Sequence, residues 1–166
     1  SHMRFVMFVF LLCLFPGTLE NTILAQTQVT IGAIKDNTLY ESPTGNLSNG
    51  AGQHFFVGKT TFGFLRRALV AFNVGGSIPS GSQITNVTLT LNMSQTSSGA
   101  DTVALYRMLA DWGEGTSVAL GNEGGGASAT TNDATWIHRF FNTSFWTNAG
   151  ADYASTASNS LSVSAL

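Results

Sequence analysis

The sequence has very few of the residues from which active sites and metal centres are usually built. It contains one cysteine and three histidines, and charged residues make up 10% of its 166 positions. A single cysteine excludes a disulfide framework within the chain and a zinc site made of several thiolates. Hydrophobic residues make up 43%, and low charge combined with high hydrophobicity predicts a folded chain rather than a disordered one.

An excess of positive charge is also missing. The formal net charge is −2, and no stripe of lysine and arginine runs along the chain. Proteins that bind duplex DNA or acidic membrane surfaces attract them through such basic regions. The composition therefore argues against nucleic acid and against an anionic membrane surface as partners.

The longest apolar run, Phe5–Phe15, is too short to span a bilayer as a helix. A basic residue precedes it, a Pro-Gly pair ends it, and a small residue stands at Ala25. This order predicts that residues 1–25 are a tag remnant, Ser1-His2-Met3, followed by a secretory signal cleaved after Ala25. The mature chain, residues 26–166, would then be extracellular or at the cell surface, without a membrane span. The alternative is that the run is an apolar strand or helix of the domain itself.

Beyond the predicted signal, side-chain polarity alternates with the period of a β-strand. Asn86–Met93 is the clearest case, because Val87, Leu89, Leu91 and Met93 share one face while Thr and Asn residues share the other. This pattern predicts a half-buried antiparallel strand whose apolar face meets the core. Further strands are predicted at Val29–Ile34, Phe55–Gly58, Arg67–Val74, Asp101–Leu109, Thr135–Phe141 and Leu161–Leu166.

Turn-forming segments separate the predicted strands. Gly75–Gly81 contains four glycine and proline residues between two strands, and Gly121–Thr131, rich in Gly, Ala, Ser and Thr, predicts a long surface loop. Short strands at regular spacing with turns between them predict an all-β fold, an antiparallel β-sandwich of the jelly-roll kind. Residues 26–166 are expected to form it as a single domain.

The order of several short motifs resembles the DNRLRE domain family. Residues 67–74 resemble the family's Arg-led strand, Ser77–Gly81 its Ser-Ile-Pro-x-Gly turn, and Ile84–Leu91 its strand rich in Leu and Thr. Asn73 stands where the family usually has Asp. Further similar segments are Asp36–Glu41, Leu105–Arg107, Asp111–Gly115 and Asn132–Trp136. Together these segments cover most of Lys35–Tyr153.

The resemblance implies a secreted jelly-roll module of a bacterial or archaeal surface protein. Some members of the family are carbohydrate-binding modules for acidic polysaccharides such as alginate. Family domains usually continue beyond the point where this sequence stops, which implies a sandwich that lacks its last strands. An open sheet edge of that kind would pair with a neighbouring copy or accept a strand from it.

Nothing in the sequence predicts an enzyme. Nucleophilic catalysis needs a serine, threonine or cysteine beside a base, and the two histidines of the mature chain, His54 and His138, stand in no such motif. Glycoside hydrolysis needs two carboxylates that face each other across the substrate. Asp111 and Glu114 are three residues apart in a predicted loop, which gives no reason for them to do so.

Polysaccharide binding draws on aromatic rings that stack on sugars and on cations that pair with uronate carboxylates. The candidate residues for such a site are Tyr106, Arg107, Trp112, Arg66 and Lys59. For Trp112, a position in the core beneath a Gly-rich loop is the favoured alternative, because tryptophans of sandwich motifs usually anchor the packing.

A structural Ca²⁺ is the one cofactor that the sequence suggests. The ion prefers several carboxylate and carbonyl oxygens, and Asp36 and Glu41 are its candidate ligands because both lie near an early strand. No EF-hand spacing is present, and surface carboxylates beside a turn are the favoured alternative.

Two functional hypotheses follow from these observations. The first is a non-catalytic extracellular module that binds polysaccharide. The second is a structural subunit of a surface, matrix or filament that assembles with copies of itself through strand edges, as low charge and many Thr, Ser and Asn residues suggest. An accessory domain of a larger hydrolase is a third possibility.

Overall fold

The computed structural model describes residues 26–96 and 99–164, together with the backbone of Val6–Leu11. The elements in chain order are β1 (Val6–Leu11), β2 (Thr27–Val29), β3 (Ala33–Tyr40), β4 (Leu47–Ser48), β5 (Gly58–Lys59), β6 (Leu65–Phe72), α1 (Val74–Ser77), β7 (Ile84–Thr90), β8 (Asp101–Leu105), β9 (Ala127–Ser128), β10 (His138–Phe140), β11 (Ser144–Phe145) and β12 (Asn159–Val163). The pairs β1–β2, β1–β7, β4–β9, β5–β6, β8–β12 and β10–β11 are antiparallel. The predicted fold class, an all-β fold of antiparallel sheets consistent with a sandwich, is confirmed.

The chain divides into two compact units by its internal contacts. The first comprises the described residues up to Ile34 together with Ala71–Met93, and the second comprises Lys35–Val70 and Ser94–Leu166. The predicted division into a signal and one domain of residues 26–166 stays a prediction. Within the described part of the chain, no helix has the length and apolar character needed to cross a membrane.

The first unit is built on a three-stranded sheet in the order β2-β1-β7. β1 is its central strand, and Val9 pairs with Val29 on one side and Val87 on the other. β1 lies inside the segment predicted to be a secretory signal. Its pairing with β2 and β7 agrees with the alternative interpretation, in which the apolar run is a strand of the domain. The predicted cleavage after Ala25 lies outside the described residues, and secretion stays a prediction.

The expected burial of β7 is wrong. Val87 is 54% exposed and Leu91 45% exposed, and of the predicted apolar face only Leu89 is half-buried within the strand. The period-two alternation located the strand correctly because it reflects local backbone geometry. Burial requires in addition that another layer of the protein covers the sheet, and no described residue covers Val87. The core of this unit lies around Ile31, which is packed by Val29, Phe72, Val74 and Ile78.

The second unit contains most of β6, up to Val70, and β6 lies between β3 and β5 in its sheet. β3 ends in the buried residues Asn37–Tyr40, and β6 adds the buried Leu69. Other strands of this unit are shorter than the alternation predicted, since Thr135–Phe141 is reduced to β10. The expected surface loop Gly121–Thr131 contains β9 and the buried Glu123, so it is anchored at Glu123 and at β9. The remaining buried apolar residues of the unit are Trp112, Ala119, Ala134, Trp136, Trp146 and Ala151.

Buried polar side chains hold the loops that these short strands leave. The amide oxygen of Asn37 accepts hydrogen bonds from the backbone N–H of Thr38 at 2.7 Å, the hydroxyl of Ser48 at 3.0 Å and the backbone N–H of Asn49 at 3.2 Å. Its amide nitrogen donates to the carbonyl oxygen of Glu114 at 2.9 Å. One fully buried side chain therefore joins β3, the β4 loop and a distant loop, and it satisfies groups that would otherwise be buried without partners.

A second buried residue, Asp133, does the same for another loop. Its carboxylate accepts the backbone N–H of Thr130 at 2.6 Å and that of Ser117 at 3.4 Å. Gly115 has a φ of +73°, and a Cβ there would lie 1.6 Å from the Asp133 carboxylate. Glycine is therefore required at this position both by the backbone conformation and by the close approach of the carboxylate.

We expect Asn37→Ala to destabilise the protein strongly. The change leaves the Ser48 hydroxyl and the Asn49 N–H buried without their acceptor, at a cost of about 2–4 kcal/mol. Asn92→Ala, at an exposed position, is the matched control and should change stability by less than about 0.5 kcal/mol. Urea denaturation measures both, and equal midpoints for the two variants would contradict the assigned role of Asn37.

Candidate functional site

An open groove of about 820 Å³ lies on the second unit. Its walls come from β6, from the chain after β8, from β10 and from the loop that precedes β12. Its aromatic, charged and amide-bearing lining residues are Arg67, Tyr106, Arg139, Asn148, Asp152 and Tyr153. Two aromatic rings and two guanidinium groups therefore meet in one groove.

The two tyrosines come together because β8 and β12 continue as a ribbon beyond their regular ends. Residues 105–109 run antiparallel to residues 152–158, with Met108 bridged to Tyr153. The ribbon is held by backbone bonds from Leu109 to Asp152, from Ala154 to Arg107 and from Ser158 to Leu105. Tyr106 and Tyr153 lie with ring centroids 5.1 Å apart and an interplanar angle of 59°. Both remain exposed, at 39% and 36%.

Arg67 is fixed in the groove wall by aromatic stacking and a backbone contact. Its guanidinium carbon lies 4.9 Å from the ring centroid of Trp136 and 5.2 Å from that of Tyr153, and Nη1 donates to the carbonyl oxygen of Gly150. Gly150 has a φ of +85°, and a Cβ there would come within 2.6 Å of Arg67 Nη1. Arg67 therefore forms part of the groove wall and also gives that wall a positive charge.

Arg139 is the second arginine that lines the groove. Its Nε donates to the carbonyl oxygen of Asp111 at 3.0 Å, and the guanidinium carbon lies 5.8 Å from the Phe140 ring centroid. Among the described residues, no side-chain acceptor is bonded to its terminal nitrogens. The Asp111 carboxylate is held instead by Lys35 at 2.6 Å, and that hydrogen bond lowers the pKa of Asp111.

The one carboxylate in the groove is engaged within its own loop. Asp152 accepts the backbone N–H groups of Thr147 at 2.9 Å and Asn148 at 3.0 Å. These hydrogen bonds lower the pKa of Asp152, and the bond from Thr147 contributes most. The Asp152 carboxylate is therefore ionised and directed toward its own loop. The groove therefore offers two cations and no unpaired carboxylate of its own, which suits an anionic ligand.

The structure places only some of the predicted sugar-binding residues in this groove. Tyr106 lines it, but Arg107 points elsewhere because neighbouring residues of an extended chain face opposite ways. Trp112 is 3% exposed, and the ammonium of Lys35 lies 4.5 Å from its ring centroid. The candidate role of Trp112 in stacking on sugar is therefore wrong, and the alternative of a core position is confirmed.

Arg66 and Lys59 lie away from the groove. The Arg66 guanidinium carbon is 4.8 Å from the Tyr40 ring centroid, and Nη1 donates to the carbonyl oxygen of Leu65 at 2.9 Å. Burial lowers the pKa of Arg66. Lys59 is exposed on β5, opposite Leu65. Because adjacent strand residues face opposite sides, it is Arg67 rather than Arg66 that reaches the groove.

The two candidate Ca²⁺ ligands do not share a site. Burial, and then the charge of Glu114, raises the pKa of Asp36, whereas the Glu41 carboxylate accepts the backbone N–H of Leu65 at 2.6 Å. Five residues of extended chain separate Asp36 from Glu41 by about 16 Å. No group of three His, Cys, Asp or Glu side chains that could hold a metal ion occurs in the described part of the chain.

A buried carboxylate that the sequence did not indicate anchors the loop before β9. Glu123 is 8% exposed and accepts the backbone N–H groups of Gln53 at 3.1 Å and His54 at 2.9 Å and the amide of Asn49 at 3.1 Å. The His54 ring nitrogen Nδ1 lies 3.3 Å from the same carboxylate. Burial raises the pKa of Glu123, but the hydrogen bonds from Gln53, Asn49 and His54 together outweigh burial and lower it.

His138 belongs to the core. It is 8% exposed, burial lowers its pKa, and its ring lies 4.5 Å from that of Phe145. Its Nδ1 is 3.0 Å from the hydroxyl of Thr135, but Thr135 is fully buried. A substrate therefore has no approach to this hydroxyl in the structure as it stands.

Comparison with known proteins gives no family for this chain. No protein-family model, no curated protein and no solved structure matches it. The resemblance to the DNRLRE family stays a prediction, and function is argued from the groove.

Glu123 leads to a prediction about stability in acid. Because its pKa in the folded protein lies below the usual 4.5, the folded state binds fewer protons than the unfolded state in this range. Its stabilising effect is complete above the unfolded pKa and is lost as the pH falls through the lower, folded value. We expect Glu123→Gln to be less stable than wild type near pH 7 and to lose less stability between pH 7 and about pH 3.

Thermal or urea unfolding at the two pH values measures this difference directly. Asp111 and Asp152, whose pKa values are also lowered, are unchanged in the variant and cancel in the comparison. An equal loss of stability in both proteins would show that Glu123 is not the group responsible.

Proposed function

We propose that the protein is a non-catalytic extracellular module that binds an acidic polysaccharide along the groove. The observation that carries the proposal is that the exposed Tyr106–Tyr153 pair and Arg139 line the same groove. Aromatic faces stack on the apolar faces of pyranose rings, and a guanidinium pairs with a carboxylate through two parallel hydrogen bonds. Both kinds of contact are available on the same surface.

The groove suits a ligand of more than one sugar unit. It is open to solvent rather than enclosed, so a ligand longer than the groove is not shut out. The 59° angle between the tyrosine rings prevents them from stacking on one flat sugar together, but suits two successive sugar units. A polysaccharide therefore fits better than a monosaccharide.

The sequence supports the same class of ligand by a separate route. The resemblance to the DNRLRE family implies acidic polysaccharides and a secreted protein, and the predicted signal implies secretion as well. A structural Ca²⁺ remains a candidate cofactor, but Asp36 and Glu41 do not form its site together. No catalytic step is proposed.

We expect Arg139→Gln to weaken binding of alginate by about tenfold, because it removes a charged hydrogen bond to a uronate carboxylate. Arg107→Gln, which removes the same charge from an exposed position outside the groove, is the matched control. Affinity electrophoresis in alginate gels measures both variants, and rising salt should weaken the wild type more than Arg139→Gln. Equal retardation of the two variants, or none for the wild type on acidic glycans, would reject the groove as the site.

A second candidate function is that of a structural subunit that assembles through β7. β7 lies at the edge of its sheet, six of its seven residues are exposed, and residues 84–93 carry no charge. Natural sheets usually protect an exposed edge with charged residues or proline. The missing protection supports pairing of β7 with a second copy.

We expect Val87→Lys to dissociate any such assembly, since a lysine on an edge strand opposes pairing with another strand. Val118→Lys is the matched control, because Val118 has the same exposure, 54%, but lies in a loop of the second unit. Light scattering at high protein concentration and negative-stain microscopy measure the assembly. A wild type that is monomeric at all concentrations would remove this second function.

A further inference from the structure

The hairpin between β5 and β6 ends in a projecting apolar tip, defined here as Thr60–Phe64. Phe62 at its apex is 88% exposed and Phe64 is 40% exposed. Val57 just before β5 is 51% exposed. Single exposed apolar residues are common on protein surfaces, but two phenyl rings within three residues of a turn are a concentration that calls for a partner.

The tip is a fixed turn and not a loose loop. The Thr60 N–H donates to the Phe64 carbonyl oxygen at 2.9 Å, and the Gly63 N–H donates to the Thr60 carbonyl oxygen at 2.9 Å. The Phe64 N–H donates to the Thr60 hydroxyl at 3.1 Å. Gly63 takes a φ of +89°, the left-handed conformation found in short hairpin loops. Phe62 is therefore presented at low cost in conformational entropy.

The apolar groups lie on both faces of the hairpin. Lys59 pairs with Leu65 and Gly58 with Arg66, so Val57 and Lys59 share one face, and by alternation Phe64 shares the other with Gly58. Phe62 stands between the faces at the turn. A flat partner surface could cover only one face, whereas a surrounding apolar medium covers both and the apex.

Three backbone N–H groups of the tip are already bonded inside the turn, which lowers the cost of taking it out of water. One carboxylate lies beside the tip, because Glu41 accepts the Leu65 N–H at 2.6 Å, but the charged residues nearest to the tip along the chain are cations. No Asp or Glu occurs between Glu41 and Asp101, and the only charged residues there are Lys59, Arg66 and Arg67. Of these, Lys59 has an exposed side chain beside the tip.

We propose that the hairpin tip inserts Phe62 and Phe64 into the interfacial region of a lipid bilayer, with the Lys59 ammonium at anionic headgroups. The low overall charge argues against a membrane bound by electrostatics alone, and this mode does not need it. The phenyl rings supply most of the affinity, and one lysine adds a modest preference for anionic lipid. Several copies on one particle or polymer would strengthen the attachment.

The test uses the full chain with a tryptophan placed at the apex. The native tryptophans, Trp112, Trp136 and Trp146, are all buried, so the indole in Phe62→Trp is the exposed one and reports its own surroundings. We expect its emission to shift to the blue when vesicles of phosphatidylcholine and phosphatidylglycerol are added, and its quenching by acrylamide to fall. An unshifted emission with unchanged quenching would overturn the proposal.

Vesicle co-sedimentation of alanine variants supplies the second measurement. Phe62→Ala should lower the partition coefficient about tenfold, from the loss of one buried ring. Leu120→Ala removes an apolar side chain that is 93% exposed in another loop and should leave partitioning unchanged. Lys59→Gln should weaken binding to the anionic vesicles and leave binding to pure phosphatidylcholine unchanged. Equal loss in Phe62→Ala and Leu120→Ala would mean non-specific adsorption and would reject the site.

Two further outcomes separate this proposal from others. If Phe62 instead contacts a second copy of the chain, light scattering without lipid shows a dimer that Phe62→Ala dissociates, and the lipid proposal fails. Arg139→Gln lies outside the hairpin and should bind vesicles as the wild type does. Vesicle binding therefore stands or falls independently of polysaccharide binding.

Discussion

Buried polar side chains are the constraint on which the second unit depends. Its strand pairs β4–β9 and β10–β11 are two or three residues long, too short to fix the intervening loops through backbone pairing. Asn37, Asp133 and Glu123 instead accept the hydrogen bonds of loop N–H groups, those of Asn49, Ser117 and His54, that lie 12 to 69 residues away in the chain. Each bond is modest in net terms, but its loss leaves a buried group without a partner. These side-chain hydrogen bonds fix the loop conformations, as backbone pairing fixes the strands.

The same device builds the groove. Asp152 holds the N–H groups of Thr147 and Asn148, and Arg67 holds the Gly150 carbonyl oxygen while it stacks on Trp136. These contacts order one irregular loop without help from a sheet. They leave Tyr153 against Tyr106, so the residues of the proposed site are prearranged, which would limit the entropy lost on binding a ligand.

Local patterns in the sequence identified strands better than they identified burial. Alternation located β6, β7, β8 and β12 to within a few residues, since side-chain direction along a strand is a local property. It failed for Val87 and Leu91, because exposure depends on whether another layer covers the sheet. Composition in turn predicted a surface loop around Glu123, but the Glu123 carboxylate is buried and accepts hydrogen bonds from donors about seventy residues away in the chain. Of the groove, only Tyr106 was predicted, because Arg139 and Tyr153 reach it through long-range contacts that no local motif records.

β6 shows why residue type alone cannot assign function in a sheet protein. The two neighbouring arginines near its start and the phenylalanine just before it have three different surroundings. Phe64 ends the hairpin tip, Arg66 lies over Tyr40 and donates toward the interior, and Arg67 turns to the groove. The two arginines carry the same charge and are adjacent, yet a step of one residue moves a side chain to the opposite face. The role of a cation on such a strand therefore depends on which face of the strand it occupies. The sequence gives the alternation of the faces, but only the structure shows what each face contacts.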